Sequence, residues 1–306
     1  MSSSESFESL IQNLTFGYAS RAIESRLGKG RFDKLELKLD NREYNNFALL
    51  LSDQCPWGFV IISDHYGELY RSTGSILKQI TDIMKVLDCI NPKLRIKGRT
   101  GFIRRFPRAA VEEGILNAAI HFDIAQVKDI VIDICNDKLT IVSPGGMISP
   151  ENWDTIVTTS PRNILLADLL KSIGKVNLKL YGIRSIKDSY HRTGRTPMMR
   201  KSDDRFIMLC PSVAEDMREK WILSRRISDI LADNPGSTLA VISEKTLLSP
   251  SVALRAITEM EQEDMAFEMG SNNSKRFYLS EVRKTRQMTM PGASMRNYQA
   301  IEDEIQ

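Results

Sequence analysis

Glu113 and Asn117 stand four residues apart in PRAAVEEGILNAAIHFDI, residues 107–124, whose apolar spacing predicts a helix over Ala109–His121. Positions i and i+4 of a helix lie one above the other, so a carboxylate and an amide share one face. Val111, Ile115, Leu116, Ala118 and Ala119 supply an apolar stripe beside it. Such a pair can serve one magnesium-bound nucleotide: the amide oxygen helps hold the metal, and the carboxylate orients or deprotonates a water. The E-x-x-x-N spacing also arises by chance on many surface helices, so the surrounding chain has to decide.

After the helix, Ile130–Cys135 predicts a strand, Asn136-Asp137-Lys138 a turn, and Leu139–Val142 a second strand, a hairpin by composition. Both strands are too apolar to be exposed on two faces, so the helix is expected to pack on the sheet that holds them. Then come Ser143-Pro144-Gly145-Gly146, the block Ser160–Ala167 (SPRNILLA), and Leu180-Tyr181-Gly182-Ile183.

This order of blocks resembles the Schlafen-type family, in which an Alba-like domain is followed by a divergent GHKL (Bergerat-fold) ATPase domain. Its members are described as transcriptional regulators or RecG-helicase-related proteins. The helix matches at Pro107, Ala110, Glu113, Asn117, Ala118, His121 and Asp123, and the hairpin at Asp137, Ile141, Pro144, Gly145 and Gly146. The later blocks match at Arg162, Asn163, Leu165, Leu166 and Ala167, then at Gly182 and Ile183, so the resemblance covers about residues 5–210. It implies a GHKL-like α/β sandwich. It also implies a site for ATP and magnesium in which Glu113 is the base, Asn117 holds the metal, and His121, Asp123, Gly145, Gly146 and Gly182 contact the nucleotide. The Alba-like domain expected upstream is absent from this sequence.

The departures touch the nucleotide directly. His-Arg-Asp-Tyr of the family is His121-Phe122-Asp123-Ile124 here. The carboxylate that binds the adenine amino group has no counterpart in Val142–Gly146. The last glycine box begins with Tyr181, whose side chain would crowd the backbone approach that phosphates need. A scaffold that does not turn over ATP is therefore expected, with no ATP or magnesium bound in the limiting case. An active ATP hydrolase using Glu113 is the alternative.

Composition agrees with an ordinary folded chain. Of 306 residues, 42% are apolar and 26% charged, which excludes a disordered or fibrous protein. No run of about eighteen apolar residues and no signal-peptide pattern is present, so no membrane partner is expected. Cys55, Cys89, Cys135 and Cys210 lack C-x-x-C spacing, and with only His65, His121 and His191 no zinc site is expected. Free thiols in a reducing cytoplasm follow. The net charge of +3 is too mild to imply nucleic-acid binding and leaves room for local basic patches.

Residues 1–100 read as an α/β lead-in. Phe7, Leu10, Ile11, Leu14, Tyr18 and Ile23 fall near helical spacing, Phe59-Val60-Ile61-Ile62 predicts a strand, and Ile76–Leu87 a helix. The cations Lys93, Arg95, Lys97, Arg99, Arg104, Arg105 and Arg108 are expected in a solvated loop.

Residues 213–281 read as a separate module. Helices are expected over Ala214–Asn234, stopped by Pro235-Gly236, over Ser237–Leu248, and over Val252–Glu263 after the Ser249-Pro250-Ser251 turn. A hairpin over Met265–Met269 and Lys275–Ser280 completes the order of a winged helix-turn-helix, whose third helix enters the major groove of duplex DNA while the wing touches phosphate. Lys245, Arg255 and Thr258 are candidates for the groove, and Lys275 and Arg276 for the wing. Glu259, Glu261, Glu263 and Asp264 would repel phosphate if they faced it, so a docking or dimerisation module is the competing reading. Residues 282–306 are expected to be a flexible or docking tail.

The expected protein is α+β: a lead-in over 1–100, a GHKL-like domain over 101–212 and a winged helix over 213–281. The expected function is a cytoplasmic DNA-binding regulator, a homo-oligomer such as a dimer, with its ATPase-like domain as a sensor or scaffold. A protein–protein adaptor without nucleic-acid binding is the third reading.

Overall fold

The computed structural model describes residues 4–91, 93–95, 102–126, 128–145, 161–174, 182–191, 193–201, 204–213, 219–271 and 274–280. Residues up to Glu219 form one compact unit and those from Lys220 a second.

The first unit is built on a six-stranded sheet. Its strands are β1 (Phe59–Ser63), β2 (Gly67–Ser72), β5 (Ile130–Ile134), β6 (Lys138–Pro144), β7 (Met198–Lys201) and β8 (Arg205–Pro211), in the order β2-β1-β5-β6-β8-β7. The pair β3 (Leu94–Arg95) and β4 (Phe102–Ile103) stands apart from it. All neighbours in the large sheet are antiparallel except β1 and β5, which run parallel with Phe59 opposite Ile130 and Ser63 opposite Ile134. The strands of residues 1–100 thus lie in the same sheet as the hairpin at 130–144.

Helices α1 (Gly17–Leu27), α2 (Asn46–Leu51), α3 (Ile76–Ile90), α4 (Arg108–His121), α5 (Ile164–Ser172) and α6 (Gly182–Ser189) accompany this sheet. Alternation along the strands sets the buried face: Ile130, Ile132 and Ile134 of β5 and Leu139 and Ile141 of β6 are buried, while Val131, Asp133, Thr140 and Val142 are half-exposed. That period of two is what a sheet covered on one face requires. The signature helix α4 packs on β6 and β8 as expected, burying Val111, Ile115, Leu116, Ala118 and Ala119.

Two sequence expectations are corrected here. The first α-helix begins at Gly17, not near Phe7, and only a 3-10 turn over Ser4–Ser6 precedes it. The preceding segment is extended because its backbone pairs elsewhere: Ser9 N–H donates to Tyr44 O (2.8 Å) and Asn46 N–H to Phe7 O (2.9 Å), which leaves Phe7 and Leu10 exposed. The apolar run Asn46–Leu51 forms the short helix α2, capped by the Asn45 side chain, which accepts from Ala48 N–H. The basic stretch is not wholly a solvated loop. Arg105 is only 1% exposed, with its guanidinium 4.8 Å from the Phe106 ring and donating to the Cys135 carbonyl. Arg104 and Arg108 both pair with Asp88. Lys97 and Arg99 lie outside the described residues.

Two long-range caps close the helix ends. Glu5, fully buried, accepts from Leu165 N–H (2.8 Å) and Leu166 N–H (3.0 Å) in the first turn of α5, where the helix dipole favours a carboxylate. Asn163 donates to the carbonyls of Ala119 and Phe122 (both 3.1 Å) and so finishes α4 from a residue more than forty positions downstream.

The second unit contains α7 (Glu219–Asp233), α8 (Leu239–Thr246), α9 (Pro250–Gln262), β9 (Ala266–Met269) and β10 (Arg276–Leu279). Thr238 caps α8 by accepting from Val241 N–H, and Ser249 caps α9 by accepting from Val252 N–H, with Pro250 at the first helical position. A bridge from Ser237 to Phe277 adds a third strand position to the β9–β10 hairpin. Three helices followed by this hairpin is the winged-helix order read from the sequence.

Candidate functional sites

On α4, the i, i+4 stacking is realised. Asn117 Nδ2 donates to Glu113 Oε1 at 3.0 Å, and both side chains are half-buried. Burial raises the Glu113 carboxyl above its ordinary value; the Asn117 hydrogen bond offsets part of this, and the Glu112 charge adds to it. The backbone of Gly182, where α6 begins, closes over the pair: a methyl group there would overlap Glu113 Oε1 and come within 3.3 Å of Asn117 Nδ2. A side chain at this position would have to push the Glu113 carboxylate aside and break its place beside Asn117. With Gly182 this close to Glu113 Oε1, a hydrated cation between them would require the Glu113 side chain to swing away from Asn117.

One turn further on, His121 and Asp123 belong to the closure of α4. Burial, and after it the neighbouring Arg162 charge, holds the His121 imidazole down at about 4. Asp123 receives Ala125 N–H at 3.1 Å and pairs with Arg162 at 3.7 Å, and Arg162 Nε donates to His121 O at 3.3 Å. Gly145 sits against Asp123 with φ +94°. Where an adenine-binding carboxylate is missing, Ser143 is buried and donates to Ala118 O at 3.2 Å, tying β6 to α4. The structure therefore gathers Glu113, Asn117 and Gly182 in one place, and His121, Asp123 and Gly145 in a neighbouring one. Gly146 and Tyr181 lie outside the described residues. Sequence reasoning missed the roles of Arg162 and Asn163 at this junction. Their adjacency to a helix start was visible, but their partner was not.

Distance in sequence also hid Asp64, Asp133 and Cys135, whose ligand atoms lie within 4.8 Å of one another. Burial, then the Asp64 hydrogen bond and the Asp133 and Asp64 charges, push the Cys135 thiol up to about 12. This set is unlike the Cys/His tetrahedra of structural zinc.

In the second unit, α9 buries Val252, Ala253, Ala256, Ile257 and Met260. That leaves Leu254, Arg255 and Thr258 on the outward face. Arg255 Nε lies 3.5 Å from Glu259, and the Thr258 hydroxyl donates to Leu254 O at 3.0 Å. Lys245 at the end of α8 is exposed. On the hairpin, Lys275 Nζ donates to both carboxylate oxygens of Glu268 (2.8 and 2.9 Å), and Arg276 Nη1 to Gly236 O at 3.0 Å. Part of the wing's positive charge is thus engaged within the hairpin.

Residues 128–209 match the family model described as "Putative ATP-dependent DNA helicase recG C-terminal". Residues 222–265 match the model described as "Winged helix-turn-helix DNA-binding". Among solved structures, the chain is similar to the DIP2311 protein from Corynebacterium diphtheriae, with a TM-score of 0.55 and 16% identity, over 93% of this chain. The chain spans 65% of that protein's length, and at this identity the likeness is one of fold. No curated protein matches. The chain therefore joins an ATPase-like α/β domain to a winged helix, and no described helix is long and apolar enough to cross a membrane.

Proposed function

We propose that this protein is a DNA-binding regulator, transcriptional in its output, that reads duplex DNA through α9 and touches phosphate with its wing. The observation that carries the reading is the segregation on α9: one face is core, and the other presents Arg255 and Thr258 in a winged helix. Arg255 is placed to reach a base edge, and Lys245, Lys275 and Arg276 to reach phosphates. A cytoplasmic homodimer is the proposed working form, because two-fold operators match paired winged helices.

Fluorescence-anisotropy titration of the full chain against duplex DNA at several salt concentrations tests it. Lys275→Ala with Arg276→Ala should weaken binding to all sequences alike and flatten the salt dependence by about 0.9 per lost phosphate contact. Arg255→Ala should instead change the preference between sites. Absence of binding at low salt would leave the acids of α9 as the deciding charge and make the module a docking surface.

The ATPase-like domain is proposed to act as a sensor or dimerisation scaffold that does not turn over ATP. The support is the Glu113–Asn117 hydrogen bond under Gly182, together with Ser143 standing where the adenine carboxylate would be. Calorimetry with Mg-ATP should give binding no tighter than about 1 mM, an affinity near −4 kcal/mol. Micromolar binding that disappears in Asn117→Ala would restore the ATPase reading, with Glu113 as base.

A further inference from the structure

Between α1, α3 and α5, the first unit holds a cavity of about 390 Å³ that none of Glu113, Asn117, His121 or Gly182 lines. The volume falls in the range of small-ligand pockets, about 300–1,000 Å³. Its floor is apolar: Leu77 and Ile80 of α3, and Leu170 and Ile173 at the end of α5, are all buried.

The α1 wall has a defined order. At 100° per residue, Tyr18, Ala22 and Ser25 fall on one face of the helix, with Arg21 and Arg26 on its two flanks. The two aliphatic hydroxyls of the lining are turned to their own helices: Ser25 donates to Ala22 O and Thr81 to Leu77 O, both at 2.9 Å. The charged donors left facing the cavity are the two guanidinium groups. Arg21 uses Nε on Gly17 O at 2.7 Å, and neither arginine has an ion pair among the described residues. Asp53 accepts from Gly17 N–H (2.8 Å) and the Thr15 hydroxyl (2.9 Å), and the Arg21 charge acts on it from beyond ion-pair distance.

An apolar floor between two guanidiniums that are in no close ion pair is complementary to an anion with an aliphatic body. We propose that this cavity binds a medium-chain fatty carboxylate, with its head group between Arg21 and Arg26 and its chain on Leu77, Ile80, Leu170 and Ile173. The site is independent of the DNA-binding reading.

Calorimetry of the full chain with sodium decanoate below its micelle concentration tests the site. Saturable one-to-one binding is expected, with no saturable binding of decanol. Arg21→Ala combined with Arg26→Ala changes exposed positions and should weaken decanoate by about tenfold or more, the loss expected for charge-assisted hydrogen bonds. Ala22→Phe, which projects into the cavity, should abolish binding and so distinguishes this pocket from surfactant adhesion elsewhere. Absence of saturable decanoate binding, equal binding of decanol, or affinity unchanged in both variants would overturn the assignment.

Discussion

Gly145→Ala should lower the melting temperature of the ATPase-like unit by about 6–12 °C, the shift that about 3 kcal/mol produces in a domain of this size. Two costs add. Gly145 holds φ +94°, a left-handed conformation that strains an L-residue by about 1–2 kcal/mol. A Cβ there would also stand 2.6 Å from Asp123 Cβ and 3.1 Å from Asp123 N. Neither partner can retreat, because Asp123 N–H donates to Pro144 O (2.8 Å) and Gly145 N–H to Asp204 O (2.7 Å). Overpacking of this kind costs about 1–3 kcal/mol. Gly174→Ala is the control: φ is +71° but no atom lies within 4 Å, so only strain is added. Thermal unfolding followed by circular dichroism checks both. A Gly145→Ala melting temperature no lower than that of Gly174→Ala would remove the junction between β6 and α4 from the account.

The second large effect concerns acid stability. An imidazole with an ordinary value of 6.5 that titrates at about 4 in the folded chain takes up its proton earlier in the unfolded chain. The unfolded state therefore binds more protons between those values, and stability rises with pH there. His121 contributes in full above about 6.5 and progressively loses its contribution as the pH falls towards 4, at about 1.4 kcal/mol per unit and about 3 kcal/mol in all. Glu113 acts in the opposite sense. Its raised carboxyl favours the folded state at low pH, and that contribution is lost as the pH rises through the folded value. The difference between the wild type and His121→Gln isolates the imidazole. Urea unfolding from pH 7 to 4 should show the wild type losing about 2–3 kcal/mol more than His121→Gln. Parallel pH profiles would mean that His121 is reached by water in the folded state.

Much of the local architecture could be read from neighbours in the chain. The four-residue spacing of Glu113 and Asn117 sufficed to place both on one face of α4, because helix geometry alone dictates it. Alternation dictated which side of Ile130–Ile134 is buried, and Ser249 with Pro250 marked the start of α9 within a few positions. The winged-helix order followed from such signals, each set by contacts only a few residues long.

The tertiary structure decided what depends on partners distant in sequence. The parallel registration of Phe59 with Ile130 joins the lead-in to the ATPase-like sheet, and no local pattern selects one parallel neighbour over another. Glu5 was unremarkable in the sequence, yet it caps α5 across 160 positions because a buried helix start needs an acceptor and the fold brings this one to it. Arg105 looked like one of several loop cations until Phe106 and the Cys135 carbonyl enclosed it. The Glu113–Asn117 pair had the residue types of a nucleotide site, but whether space existed beside it depended on where the backbone of Gly182 came to rest. Spacing along one helix determines which groups can point the same way; only packing against other segments determines what room is left in front of them.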